Sequence, residues 1–566
     1  MQLAKVQIHN FRGIIDESID LKAYSLLVGP NNSGKSTVLN AIRAFYGELK
    51  FAKKDDMPLS GVSDSESWIE LSFTLTVEEY DSLADHYKVD PHNLRVRRFF
   101  QTNSKNQAGQ PRKPGIYGYV SNNDISDDMF YGANNVQNGK FGNLLYVPAL
   151  SKVDDHAKVS GPSDLRNLIT AIMTNAAKNG TAYDKFSRSV EEFSESMKDE
   201  ETDEGESLNR FQTDLSLALA DWDTSFALDF KPPSVPEVIK SMIDWQLTDT
   251  ILNEAQDPSH YGSGFQRHFI FSLIQLGAAY ASPKGDSKAK DFTPSMNLLL
   301  FEEPEAFLHP PKQDALARNL RTLVSNPDWQ TICTTHSPHF VSRNTDDIPA
   351  IIRLRREGGE MRANQISGQD WRDVVDANQA INVIAQSHPR LANTLCSDDL
   401  TAEMEAVKYF LWLGPDRANL FFADHVLLVE GQTEVALIGR MLEDGSIASP
   451  PGGLYILDCI GKHNIHRFMS LCEKYAIPHS VLHDQDDDKG SYHSDLNNLI
   501  CDYASKHKYA VCVQVIPGDM ESLLDLPNPV RSDRKPQHAL YLYEQAKIDS
   551  LRLQQLSSIV AACFPS

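Results

Sequence analysis

The stretch His425–Glu434, HVLLVEGQTE, decides how this chain is read. Val426 to Val429 form an apolar run that passes straight into Glu430 and Gly431. A short, wholly apolar run is expected to be a buried parallel strand, and the acid and glycine at its end bring a carboxylate to a turn. Thr433 is placed to cap a following helix, and that helix carries Glu434. Glu430 at the strand tip and Glu434 in the first helical turn can then face one point in space. Two carboxylates held this way suit a hard divalent cation and phosphate chemistry. A plain strand-to-helix corner, with an acid balancing the helix dipole, accounts for the same residues equally well.

The downstream segment His479–Gly490, HSVLHDQDDDKG, shifts that balance. Val481 and Leu482 read as the end of a second strand, and strand side chains alternate, so Asp484 and Asp486 are expected on one face of an extended segment. Alone, an Asp-x-Asp pair is more often an acidic surface turn. The combination EGxxE, a strand, then a hydrophobic residue before DxD resembles the Toprim fold of primases, topoisomerases and certain nucleases. The resemblance implies that Glu430, Asp484 and Asp486 organise Mg²⁺, with Mn²⁺ as a substitute, for phosphodiester chemistry. His483 is a further candidate, although a histidine at a strand end is more often structural. No tyrosine nucleophile is required, and no DNA-gate module accompanies the motif, which separates this reading from a topoisomerase.

The second decisive stretch lies near the N-terminus. Leu3–Ile8 reads as a strand and His9–Arg12 as a turn into another. Tyr24–Val28, YSLLV, reads as a buried strand that runs into Gly29-Pro30-Asn31-Asn32-Ser33-Gly34-Lys35-Ser36 and then a helical stretch, Thr37–Tyr46. GxxxxGK[ST] between a strand and a helix is the context of a phosphate-binding P-loop. Asn31, Asn32, Ser33, Gly34, Lys35, Ser36 and Thr37 are the expected nucleotide-binding residues, with Lys35 reaching the β- and γ-phosphates and Ser36 ligating Mg²⁺. Leu298–Glu303, LLLFEE, is expected as a strand whose Glu302 holds the Mg²⁺ shell and whose Glu303 positions or activates water. Many P-loop proteins carry Asp at the first of these positions. Thr331–His336 reads as a strand ending in a histidine, His336, placed to contact a γ-phosphate. Ser263 and Gly264, in YGSGFQRH, occupy the signature position of ABC-type ATPases, where a helix N-terminus reaches the nucleotide of a second subunit.

With NFRG, the P-loop, GSGxQR, EEPEAFLHP (Glu302–Pro310), TTHSPHF (Thr331–Phe340) and FFADHVLLVEGQTE in this order, the chain resembles the OLD (overcoming lysogenization defect) nucleases. This implies an α/β protein: an ABC/SMC-like P-loop ATPase head with an antiparallel β layer and a helical insertion, followed by a C-terminal Toprim α/β domain. It implies ATP as cofactor, DNA as substrate and anti-phage defence as context. The defence partner would be a helicase-like protein or a retron reverse transcriptase with its DNA. It also implies that Lys462 or Lys535 assists at the scissile phosphate or leaving oxygen, and that Asp519 or Glu521 completes a second metal site. The sign of any regulation by ATP is left open. An ATP-driven DNA clamp, sensor or scaffold, whose Toprim-like domain binds metal without cutting and serves a partner protein, is the alternative.

The expected layout is residues 1–154 as the first part of the ATPase, 155–255 as a helical insertion, 256–370 as the second part of the ATPase, 371–420 as a helical linker and 421–566 as the Toprim domain. Apolar residues at helical spacing in Asp164–Lys178, Leu208–Leu219 and Val235–Trp245 read as a helical hairpin or bundle. It is either a local cap packed on its own ATPase head or, as the resemblance implies, the element that forms a homodimer or a higher even oligomer. Trp68–Thr76, Arg95–Gln101 and Leu144–Val147 are expected to be strands of the antiparallel layer, and the polar stretch Lys105–Asn138 a loop.

Composition bounds the rest. The 566 residues carry a net charge of −23 and are 41% hydrophobic, with a mean hydropathy of −0.38; this fits a soluble chain of about three or four domains. No apolar run reaches the roughly 18 residues of a membrane span, and MQLAKVQIHNF lacks the apolar core of a secretory signal. No membrane partner is therefore expected. The seven cysteines show no CxxC pairing, which points to a reducing, cytoplasmic setting. So acidic a chain is no general nucleic-acid coat. Arg95, Arg97 and Arg98, and Arg353, Arg355 and Arg356, are the two candidate basic patches, each equally readable as a solvated strand edge. Glu191–Glu206, with nine acids and one lysine, reads as an exposed linker or hairpin tip.

Overall fold

The computed structural model describes residues 1–106, 109–136, 139–149, 292–341, 345–378, 380–389, 412–486, 490–527 and 532–564, with short stretches between 185 and 272 and residues 408–409. Residues 1–149 and 289–566 form one compact unit and 150–288 another.

In the first unit, β1 (Gln2–Phe11), β2 (Ile14–Asp20), β3 (Tyr24–Val28), β4 (Ser67–Thr74), β5 (Asn93–Gln101), β6 (Gly115–Tyr119), β7 (Ile125–Met129) and β8 (Asn143–Val147) come first along the chain. β1 extends through the expected turn as far as Phe11, with Asn10 and Arg12 in the left-handed region. β2-β1-β4-β5-β6-β7 form an antiparallel sheet. β6 and β7 fall inside the stretch expected to be a loop; their Gly- and Asp-containing sequences hide the alternation that marks a strand. In the second unit, the helix Leu208–Ala218 lies where helical spacing placed it, near a short hairpin of β9 (Leu247–Asp249) and β10 (Glu254–Gln256) in sequence. The expected helices at 164–178 and 235–245 lie outside the described residues.

β11 (Asn297–Glu302), β12 (Trp329–Thr334), β13 (Ile351–Glu357) and β14 (Glu360–Gln365) complete the head. Its second sheet has the order β14-β13-β3-β12-β11-β8, parallel from β13 to β8, with β14 antiparallel at one edge. β8 thus belongs here and not to the antiparallel layer: its apolar residues pair in parallel register with β11, a partner too distant in sequence for local pattern to identify. The register sets Glu302 beside Thr334 and Thr334 beside Leu27, so the ends of β11, β12 and β3 lie level. Helix Lys35–Tyr46 buries Val38, Ile42 and Phe45 in a core shared by Leu3, Val6 and Ile8 of β1 and Leu298 and Leu300 of β11.

The third sheet, β15 (His425–Val429), β16 (Leu454–Asp458), β17 (His479–Asp484) and β18 (Ala510–Ile516), has the order β16-β15-β17-β18 and is wholly parallel. Every residue of β15 and β17 is buried, as a central strand covered on both faces demands. Leu427, Val429 and Leu482 pack with Leu437, Met441, Leu556 and Val560 from the flanking helices.

Arg353 joins the second and third sheets. It sits on β13 opposite Val28 and is 1% exposed. Its guanidinium donates to the carbonyls of Phe421, Ala423, Tyr475 and Ala476. Burial lowers its pKa to about 10, so the cation persists at neutral pH, balanced by carbonyl dipoles. The Tyr475 hydroxyl donates to Ile348 O at 2.7 Å, and Lys474 pairs with Asp370 at 2.9 Å.

Candidate active sites

The first site forms at the carboxyl ends of β3, β12 and β11, where open α/β sheets bind ligands. Gly29 has a φ of 134°, and a Cβ there would lie 2.1 Å from Leu354 O. Only glycine fits this close approach. Gly34, at a φ of 101°, opens the helix with no side-chain cap, leaving first-turn amides for a phosphate. Lys35 folds over the loop, donating to the carbonyls of Gly29 and Pro30, both at 2.9 Å. Burial lowers its pKa to about 8, against the pull of Glu303 and Glu305. Asn31, Asn32 and Ser36 are exposed, Thr37 is buried, and the buried Ser33 hydroxyl has no partner. An uncapped helix start, a lysine within the loop and an orphaned hydroxyl fit a nucleotide's phosphates.

Ser36 Oγ donates to Glu302 Oε1. Glu302 Oε2 accepts a 2.7 Å hydrogen bond from Tyr146. Glu303 lies just past the end of β11 at a φ of 44°, a left-handed conformation that non-glycine residues take at a cost and that collects at functional sites. Its carboxylate is 3.5 Å from His336 Nε2. Burial, reinforced by the positive Lys35, lowers the His336 pKa to about 4, so the ring is neutral at physiological pH. The His336 amide donates to Glu305 Oε1 at 2.6 Å, and burial raises the Glu305 pKa. Glu305 was not singled out from sequence, although the EEPE spacing carried it. Tyr146 gave no signal beyond an apolar strand. Ser263 lies outside the described residues; Gly264 starts a helical stretch in the second unit.

The second site forms at the carboxyl ends of β15, β16 and β17. Glu430 follows β15, and its Oε1 accepts from the Asp484 amide at 2.8 Å. The helix Gln432–Glu443 is capped at Gly431, not by Thr433, and Glu434 Oε2 accepts from the Gly431 amide at 3.0 Å. Glu430, Asp484 and Asp486 bring ligand atoms within 4.8 Å of one another. They meet by a different route from the one the strand period suggests. β17 ends at Asp484, and Asp486 turns back at a φ of 56° while its amide donates to Gly518 O at 2.9 Å.

Lys462 threads this cluster, 3% exposed, with Nζ 2.9 Å from Asp486 Oδ2, 3.6 Å from Glu430 Oε1 and 2.5 Å from Asp484 O. His493 Nδ1 is 3.4 Å from Asp486 Oδ2. His483 donates from Nδ1 to Asp484 O at 2.8 Å, and burial lowers its pKa to about 4. Lys535 reaches the cluster only from its flank, 3.0 Å from the buried Glu521, whose charge bears on Glu434 and Asp484. Asp519 caps the helix Met520–Leu524 through the Ser522 amide. Burial and the neighbouring acids raise the Asp484 pKa to about 9; burial first, then Glu430 and Glu521, raises that of Glu434 to about 7; and burial raises that of Glu430 against the pull of Lys462. So many carboxyls share too little positive charge, and a divalent cation suits the site by replacing their protons.

Neither arginine cluster forms a basic groove. Arg95 and Arg97 both bind the buried Glu70, the closest contact being 2.7 Å, and Arg98 donates to Phe45 O at 2.7 Å. Arg355 is held by Asn364, Glu357 and Tyr509. Among the described residues no helix is long and apolar enough to cross a membrane.

Residues 1–341 match the family model described as AAA ATPase domain, and residues 421–486 match that of the overcoming lysogenization defect protein-like TOPRIM domain. The chain belongs to the OLD family. Its ABC-type ATPase head and Toprim domain lie on one polypeptide, in the order the motifs gave. Among OLD-family relatives it is 23% identical over 520 residues to the Old nuclease of Escherichia phage P2, covering 89% of this chain and 80% of that one. It is 21% identical over 498 residues to the OLD nuclease of Thermus scotoductus (strain ATCC 700910 / SA-01), covering 86% and 82%. It is 21% identical over 321 residues to the endonuclease GajA of Bacillus cereus (strain HuB5-5), covering 55% and 42%.

Proposed function

We propose that this OLD-family chain is an ATP-regulated, metal-dependent DNA endonuclease of bacterial anti-phage defence. The observation that carries the reading is the convergence of Glu430, Asp484 and Asp486 within 4.8 Å at the edge of a parallel sheet. Relatives named as nucleases, matching over most of both chains, support it. Glu430, Asp484 and Asp486 would hold Mg²⁺ or Mn²⁺, with Glu434 and Glu521 beside them. A divalent cation held there would supply an activated water and charge stabilisation for the leaving oxygen. Lys462, inside the cluster, pairs with Asp486 at 2.9 Å and fixes its orientation. Lys535 offers a second cation from the Glu521 side.

In the head, Ser36 and Glu302 would hold the Mg²⁺ of ATP, and Lys35 would leave the loop carbonyls for the phosphates. Glu303 would orient the attacking water, with the neutral His336 beside it to bond the γ-phosphate. Association into an even oligomer and a partner from the same defence system belong to this proposal. The test is incubation with plasmid and linear DNA, Mg²⁺ or Mn²⁺, with and without ATP, beside Glu430→Ala. Cutting lost in the variant while ATP hydrolysis persists is the expected result. Cutting retained in Glu430→Ala rejects the site, and equal rates at all ATP levels reject the regulation.

A further inference from the structure

We propose that Tyr146 is a positioning residue for the divalent cation of the ATPase head, fixing the unusually long Glu302 so that one of its oxygens stays turned to Ser36. The inference rests on the reading that Ser36 and Glu302 hold the nucleotide's metal.

The placement follows from register. Tyr146 on β8 lies opposite Leu300 on β11, and Glu302 is two residues further along β11. Side chains of period two therefore put Tyr146 and Glu302 on the same face of the sheet. The tyrosine hydroxyl donates to Oε2 at 2.7 Å, leaving Oε1 to Ser36. The ring is fixed from its other side: the Arg43 guanidinium lies 3.6 Å from the ring centroid and is itself paired to Glu48 at 3.0 Å. Ser36 and Arg43 belong to one helix, Lys35–Tyr46, two turns apart and so on one face. That helix thus supplies both the hydroxyl that meets Glu302 and the cation that holds its tyrosine.

Glutamate has one more rotatable bond than the aspartate common at this position. Without a second contact its free oxygen would sample several rotamers. Tyr146 removes that freedom, and outer partners of this kind typically carry about ten- to hundredfold in metal affinity.

The test titrates Mg²⁺ into the full chain with a fluorescent ATP analogue and reads half-saturation. Tyr146→Phe keeps the ring on Arg43 and removes only the hydroxyl. It is expected to raise the Mg²⁺ requirement about tenfold while leaving Mg²⁺-free nucleotide binding unchanged and shifting the melting curve by no more than the loss of one hydrogen bond. In Glu302→Asp the shorter side chain no longer reaches the tyrosine, so adding Tyr146→Phe to it should change nothing further. An unchanged Mg²⁺ requirement in Tyr146→Phe, or full additivity in the double variant, overturns the inference. Glu302→Gln separates the two levels: if it leaves the Mg²⁺ requirement unaltered, the metal reading itself falls, whatever Tyr146 does.

Discussion

Replacing Glu434 by Gln should make the metal-free protein more stable at neutral pH. Glu434 is 6% exposed, and burial, with Glu430 and Glu521 nearby, raises its pKa from 4.5 to about 7. The folded chain therefore holds a proton that the unfolded chain releases. Its contribution is fully present below pH 4.5 and is lost progressively as pH rises to about 7. A carboxyl displaced that far loses about 3 kcal/mol across the window. The amide of Gln can still accept from Gly431, so the cap survives and only the ionisation goes. Melting curves from pH 4 to 8 in EDTA, for both proteins, measure this. They should coincide at the acid end and diverge up to neutrality, with Glu434→Gln the higher. Saturating Mg²⁺, worth about 2.7 kcal/mol at a hundredfold excess over its dissociation constant, should close most of the gap. Parallel profiles in EDTA would refute the argument that the buried acids are short of positive charge.

Other perturbations follow from the same geometry. Arg353→Met leaves four buried carbonyls without a donor and should cost about 3–5 kcal/mol, read as a large fall in melting temperature. Tyr475→Phe removes a single buried hydrogen bond and should cost about 1 kcal/mol in the same assay. Gly29→Ala sets a methyl against Leu354 O at a φ forbidden to alanine; calorimetric titration should show nucleotide binding lost while the Toprim site still binds Mn²⁺.

The strands were legible where burial on both faces leaves an unbroken apolar run, as in YSLLV, LLLF and HVLLV. Each of those runs ends in the residues that line a site, so Lys35, Glu302 and Glu430 could be placed from sequence. Pairing partners were harder. Nothing local in Leu144–Val147 says that it lies beside Leu298–Phe301, and its sheet was misassigned for that reason. Asp484 and Asp486 were expected together and are together, but a left-handed residue accomplishes this, and single-residue backbone reversals leave little trace in sequence. The alternating arginines of β13 look like a wet basic edge. Arg353 is buried because residues far downstream cover it, a consequence of tertiary packing that no periodicity encodes.

That arginine also changes what a safe cut through this molecule would be. Expressing residues 421–566 alone looks natural from the order of motifs. Such a fragment would carry the carbonyls of Phe421, Ala423, Tyr475 and Ala476 to its surface with their donor left behind on the other piece. The severed head would inherit a lone guanidinium one strand away from the root of its phosphate loop. Excising either enzyme half therefore injures both, and partial reactions are better isolated by point substitution in the intact chain than by truncation.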